Sequence, residues 1–298
     1  MSGFGVLNWF GRSPHVAAPA VPPPSPVDDA APPAPATPAE SPPWPLDRIS
    51  IYDRLWGEGF LCPGGEEEAL RFAKPLGLSA SASLLLVGVG SGGPACAIAA
   101  ELGVWVNGFE ADPELAAVAA TRASRSRFRR NIQIDTWSPT APSFARRHYH
   151  HALGLEPLRG VQPEQVLAAI AQALKPGGQL ALVEMVADAP LDPQDRNVAA
   201  WARLERRDPT CLHSQTTITR VLGRLGFDVR IVEDISERHT QQTLLGWRRI
   251  VRGMEVDRPE PREARLFVRE AELWLRRMRM FRGHGVRMVR WHAIGRGG

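Results

Sequence analysis

Gly88, Gly90 and Gly92 alternate along LLLVGVGSGGPA (Leu84–Ala95), directly after four apolar residues. With Gly93 the same stretch also satisfies G-x-G-x-x-G. Glycines placed after a buried strand let the backbone approach a ligand closely, and the next helix presents its N-terminal N–H groups to it. About 20 residues further on, a second apolar run ends in GFEADPEL, which puts Glu110 where a carboxylate can accept hydrogen bonds from ribose hydroxyls. Either spacing recurs by chance, and a packing turn beside a surface glutamate is the plainer reading. Turn, helix start and acid together point to an adenosine-bearing cofactor. Leu86 stands where an acid often precedes the first glycine.

A second set of residues is suited to proton transfer. HYHH (His148–His151) offers imidazoles that are neutral near pH 7, with His150 and His151 as candidate bases. The plainer reading is the solvated start of a strand. The histidine spacing also invites a metal, but no carboxylate or cysteine partner stands nearby, and no metal is expected. Glu156 follows the same apolar run, and Glu184 lies within LVEMV near the same strand mouth.

These residues need a frame to hold them. The chain has 298 residues, 44% of them hydrophobic, enough for a sizeable core. Strand-like runs alternate with helical ones: Leu84–Val87, a helix from Pro94, Val104–Phe109, a helix from Pro113, Asn131–Ile134 and His150–Leu155. A helix over Pro163–Leu174 follows, with a Pro176-Gly177 turn and then the strand QLALVEMV. Such alternation predicts an α/β fold, a doubly wound, mostly parallel sheet with helices on both faces. Towards the end, Ser214 caps a helix stopped by Gly226, and FDVRIVED is a strand. Two arginine-rich helices (Glu237–Gly253 and Arg262–Phe281) then form a helical cap. The last run, GVRMVRWHAIG, suggests an antiparallel strand added at the sheet edge.

Residues 46–298 are expected to form the folded domain. Residues 13–45, rich in Pro, Ala and Ser, are expected to be a disordered linker, and residues 1–12, with Phe4, Trp9 and Phe10, a docking peptide for a protein partner. No apolar run approaches the ~20 residues of a membrane span, and no signal peptide is visible. Three scattered cysteines show neither a disulfide framework nor metal spacing. The expected location is the cytoplasm, with the membrane periphery as the alternative. The net charge of +4, carried mostly by arginine, is compatible with RNA or an anionic membrane but is weak evidence for either, and nucleic acid is not an expected partner.

The glycine loop, LKPGGQLALVE and LGFDVRIVED together resemble the class I S-adenosylmethionine (SAM)-dependent methyltransferases over about residues 46–298. The resemblance implies SAM as cofactor, held by Gly88, Gly90, Gly92, Glu110 and Asp135, the last at the position that often reaches the adenine. It also implies seven strands, the last antiparallel between the fifth and sixth. Within the family, IYDRLWGEGFLCPGG is similar to the segment that closes over cofactor and substrate in phosphoethanolamine methyltransferases and cyclopropane fatty acid synthase-like enzymes. Tyr52 and Cys62–Gly65 would carry that role. Arg159 occupies the place of the histidine that serves catalysis there. The function implied is methyl transfer to a small molecule or lipid headgroup. The alternatives are a catalytically silent SAM-fold protein that binds a partner and, third, an RNA methyltransferase.

Overall fold

The computed structural model describes residues 46–254 and 258–296. The expected docking peptide and linker lie outside these residues. The strands are β1 (Ser83–Val87), β2 (Trp105–Glu110), β3 (Ile132–Thr136), β4 (Tyr149–Leu155), β5 (Leu174–Ala187), β6 (Phe227–Asp234) and β7 (Val286–Gly295). They form one sheet in the order β3-β2-β1-β4-β5-β7-β6. The pairs among β1–β5 are parallel, and β7 runs antiparallel to both β5 and β6. The last strand is therefore inserted between two others and does not form the edge that its pattern suggested. Its apolar residues explain this: Val286, Met288, Val289, Trp291 and Ala293 are all buried, which an edge strand would not achieve. The Pro176-Gly177 turn is also absorbed, since β5 runs through it with a register irregularity against β4.

Helices cover both faces: α1 (Asp47–Trp56), α2 (Gly65–Ala73), α3 (Gly93–Leu102), α4 (Pro113–Arg125), α5 (Pro163–Ala173), α6 (Arg196–Glu205), α7 (Gln215–Arg224), α8 (Ser236–Met254) and α9 (Pro261–Gly283). Side chains alternate across a strand, so β1 feeds two cores. Leu84 and Leu86 pack with residues of α2, α3, α4, α6 and α9. Leu85 and Val87 pack on the other face with α5 and α7. Helix starts follow local chemistry. Asp112 caps α4 by accepting from the Glu114 and Leu115 N–H groups, and Ser214 caps α7 through the Thr217 N–H.

Leu86 lies fully inside the first of these cores, level with Gly108 on β2 and Leu153 on β4. A carboxylate there would be desolvated among apolar side chains. Leu86→Asp is expected to lower stability by more than about 3 kcal/mol, measured by urea unfolding at pH 8. A loss below about 1 kcal/mol would show that residue 86 has access to water or to a polar partner.

Candidate functional site

The turn after β1 is shaped by positive φ angles at Gly88 (83°), Gly90 (61°) and Gly92 (100°), a backbone region costly for other residues. At Gly88 a Cβ would lie 2.1 Å from the Leu155 carbonyl oxygen, so only glycine permits this approach to β4. The Gly88 and Val89 N–H groups both donate to the Phe109 carbonyl at the end of β2. The Gly90 N–H donates to Glu110 Oε2 at 2.8 Å, while Oε1 accepts from the Ala111 (2.9 Å) and Asp112 (3.3 Å) N–H groups. Burial pushes the Glu110 carboxyl up to about 7 against these three bonds. Ser91 is fully buried in the turn, and its Oγ finds no partner among the described residues.

The α1–α2 loop lies directly over this turn. The Gly59 carbonyl accepts from the Gly93 N–H (2.9 Å), the first residue of α3. The Gly59 N–H in turn donates to Asp53 Oδ1 (2.7 Å). Arg122 on α4 ties the layers together by donating to the Ser91 carbonyl and pairing with Asp53. The Leu61 side chain sits against Gly90, where a Cβ would come within 3.1 Å of it.

Asp135 lies level with Phe109 near the end of β3, exposed, and accepts from Gln133 Nε2 (2.8 Å). Two residues on, Trp137 is buried and packs on Phe144, and its Nε1 has no partner among the described residues. The Trp137 N–H donates to the Glu110 carbonyl, which ties this aromatic wall to the acid.

Beside the turn, β4 and β5 end in a buried ionic cluster. Glu156 follows β4 with a left-handed φ of 48°, costly for a non-glycine residue, and its N–H donates to the Val183 carbonyl. Its carboxylate pairs with Arg277 (2.9 Å) and Arg207 (3.2 Å). Burial acts to raise Glu156, but Arg277 and then Arg207 prevail and hold it at about 2. Glu184 is raised instead, because its burial, with the Glu156 charge beside it, outweighs Arg207 at 3.6 Å. Glu205 lies 3.7 Å from Arg277, and Arg159 donates to the Glu205 and Arg206 carbonyls. His239 of α8 stacks near Trp274, and burial, then the Arg277 charge, push it down to about 3. Its Nε2 and Arg277 Nε are buried without a partner among the described residues.

Tyr52 belongs to an adjoining cluster. Its hydroxyl donates to Glu270 Oε2 (3.0 Å), accepts from Arg48 (2.6 Å), and its ring meets Trp274 edge-on. Burial raises the phenol well above its usual range. Burial likewise pushes the Cys62 thiol up to about 12, so this loop cysteine is not a thiolate near neutral pH.

The structure thus gathers Gly88, Gly90, Gly92 and Glu110 at one turn, Asp135 two strands across from it, and Glu156 and Tyr52 in the neighbouring clusters. It does not bring His150 or His151 there. His151 pairs level with Leu84, and Val87 with Gly154, so the histidines lie roughly 10 Å along the strands from the turn, towards the opposite, N-terminal end of the parallel strands. His150 Nδ1 accepts from the Ser83 N–H (3.0 Å). Sequence reasoning missed Ser91, Trp137, Arg207, Glu205, His239 and Arg277. Ser91 was within reach as the polar residue of the glycine turn. The cluster residues come from distant segments with no common spacing.

No family model matches the chain. It is 28% identical to phosphoethanolamine N-methyltransferase 2 of Caenorhabditis elegans over 134 residues, 44% of this chain and 30% of that protein. It is 27% identical to phosphoethanolamine N-methyltransferase 1 of Triticum aestivum over 192 residues, 64% of this chain and 37% of that one. The chain spans about a third of the length of these curated relatives. Among solved structures it is similar to Haemonchus contortus phosphoethanolamine N-methyltransferase 2, which holds phosphomonomethylethanolamine and S-adenosylhomocysteine. That match has a TM-score of 0.72 and 19% identity, and covers 83% of this chain and 57% of that one. The chain therefore has the class I fold of the SAM-dependent methyltransferases and resembles the phosphoethanolamine N-methyltransferases in sequence.

Proposed function

We propose that the chain is a SAM-dependent methyltransferase acting on a small molecule or lipid headgroup. One observation carries this reading: the half-buried Glu110 carboxylate, held against the glycine turn by the Gly90 N–H. The residues fit the cofactor. A carboxylate offers about four lone-pair sites, and three accept backbone N–H groups here. One site is open to a ribose hydroxyl, and exchange of the longest contact, from Asp112, frees a second. Ser91 Oγ brings an unpaired hydroxyl to the same turn, and Trp137 with Asp135 offers an aromatic and polar wall for the adenine. SAM, when bound, supplies an electrophilic methyl group.

The chain's own contribution is alignment and proton removal. Glu156, fixed by Arg207 and Arg277, forms the rigid wall next to the turn. Glu184, raised by burial, is the group on this wall able to take a proton from an amine or hydroxyl, whereas His239, pushed down to about 3, stays neutral and resists protonation. Phosphoethanolamine, from the names of the relatives, is the first acceptor to test. Arg159 favours the silent alternative: at the place of the family's catalytic histidine it clamps the Glu205 and Arg206 carbonyls. Mass gain of one methyl on an acceptor separates the two readings.

SAM is expected to bind in a calorimetric titration, and Glu110→Ala to weaken it by about 2–4 kcal/mol through the loss of two charge-assisted bonds. Unchanged affinity in the variant, or no binding by the parent protein at millimolar SAM, would refute the cofactor assignment.

Stability should report the same carboxyl. Raised to about 7 in the folded chain against an ordinary 4.5, Glu110 contributes stability that is fully present below pH 4.5 and lost as pH rises through 7. Relative to Glu110→Gln, the parent should lose on the order of 3 kcal/mol between pH 4.5 and pH 8.5 in urea unfolding. Parallel pH curves would show that the carboxyl is solvated.

A further inference from the structure

The cap helices α8 and α9 each satisfy the fold with one face. Thr243, Gly246 and Ile250 point inward from α8, and Phe267, Leu273 and Trp274 from α9. Their outer faces carry a second set of aliphatic side chains that remain exposed among the described residues. On α8 these are Leu244 (38% exposed), Leu245 (53%) and Val251 (57%), interleaved with exposed Arg248 and Arg252. On α9, Val268 (70%) and Leu275 (53%) share a stripe with Arg265, Arg279 and Arg282. Positions 265, 268, 272, 275, 279 and 282 recur at three and four residues, which keeps them on one helix face. Glu272 is the acid in that stripe, and Arg276 neutralises it at 2.7 Å.

We propose that the outer faces of α8 and α9 bind the surface of an anionic lipid bilayer. Guanidinium groups at the rim of an aliphatic stripe meet the two demands of that surface. The cations sit at the level of anionic headgroups, while Leu and Val enter the acyl boundary. Arginine is suited to this mixed role, because its stem lies along apolar surface while its head stays among phosphates. A nucleic acid would be served by the arginines alone, since exposed Val268 and Leu275 gain nothing from a phosphate backbone. The inference does not depend on the methyltransferase reading, because its readout needs neither cofactor nor turnover.

The test is co-sedimentation of the full chain with phosphatidylcholine vesicles, with and without about 30% phosphatidylglycerol, near physiological salt. Binding to the anionic vesicles is expected to exceed binding to the neutral ones by at least about tenfold. Joint replacement of Leu245, Val251, Val268 and Leu275 by serine should weaken it by at least about tenfold with an unchanged melting temperature. Replacement of Arg248, Arg252 and Arg279 by glutamate should do the same. If the fourfold variant loses melting temperature, Val268→Ser alone, at a position 70% exposed, should still give a measurable decrease. The proposal is overturned if the parent ignores anionic vesicles, or if the serine variants bind like the parent. It is equally overturned if the faces instead bind RNA with a steep salt dependence that the serine changes leave intact.

Discussion

The close contact between Gly88 and the Leu155 carbonyl is the constraint on which the candidate site depends. With no Cβ at residue 88, the end of β1 lies against the end of β4, where a side-chain carbon would stand 2.1 Å from the oxygen. This juxtaposition sets the glycine turn beside Glu156, the residue that follows Leu155. On the other flank the Phe109 carbonyl gathers the Gly88 and Val89 N–H groups, and Glu110 gathers that of Gly90. One turn is thus held by the ends of two neighbouring strands, and both sides of the site meet there. This is the crevice at the carboxyl ends of parallel strands where open α/β sheets bind ligands.

The two sides differ in electrostatics. On the Glu110 side a single half-buried carboxylate faces backbone N–H groups, with its charge only partly compensated. On the Glu156 side Arg159, Arg207 and Arg277 interlock with Glu156, Glu184 and Glu205. Buried ion pairs of this kind are weak contributors to net stability, because desolvation offsets much of their attraction. Their effect here is geometric. Glu156 has a left-handed backbone conformation and pairs with two guanidinium groups, and the His239 imidazole stays neutral through its burial and then the Arg277 charge.

Much of the frame was legible in the sequence, and for a local reason. Strand alternation, the Asp112 and Ser214 caps, the glycine turn and the acid at the end of β2 are set by neighbouring residues. The position of Glu110 opposite the turn also follows, because a strand–helix–strand unit of this length brings its ends together in one way. The composition of β7 showed a strand, but whether it was an edge or an insertion depended on which surfaces remained open. Its buried face on both sides decided for insertion.

Tertiary structure alone decided the rest. His150 and His151 were chemically apt, yet strand direction carries them to the strand ends opposite the turn, since register and not residue type fixes the end at which a side chain emerges. Leu86 was ambiguous until its pairing with Gly108 and Leu153 placed it wholly in the core. The cluster around Glu156 draws on β4, β5, α6, α8 and α9, segments more than 100 residues apart at their extremes, with Glu156 and Arg277 separated by 121. No spacing rule links such residues, because charge pairing across a core is selected by folded proximity. The sequence by itself determined the Glu110 side of the crevice, built from one local unit, whereas the Glu156 side exists only where the chain's distant parts converge.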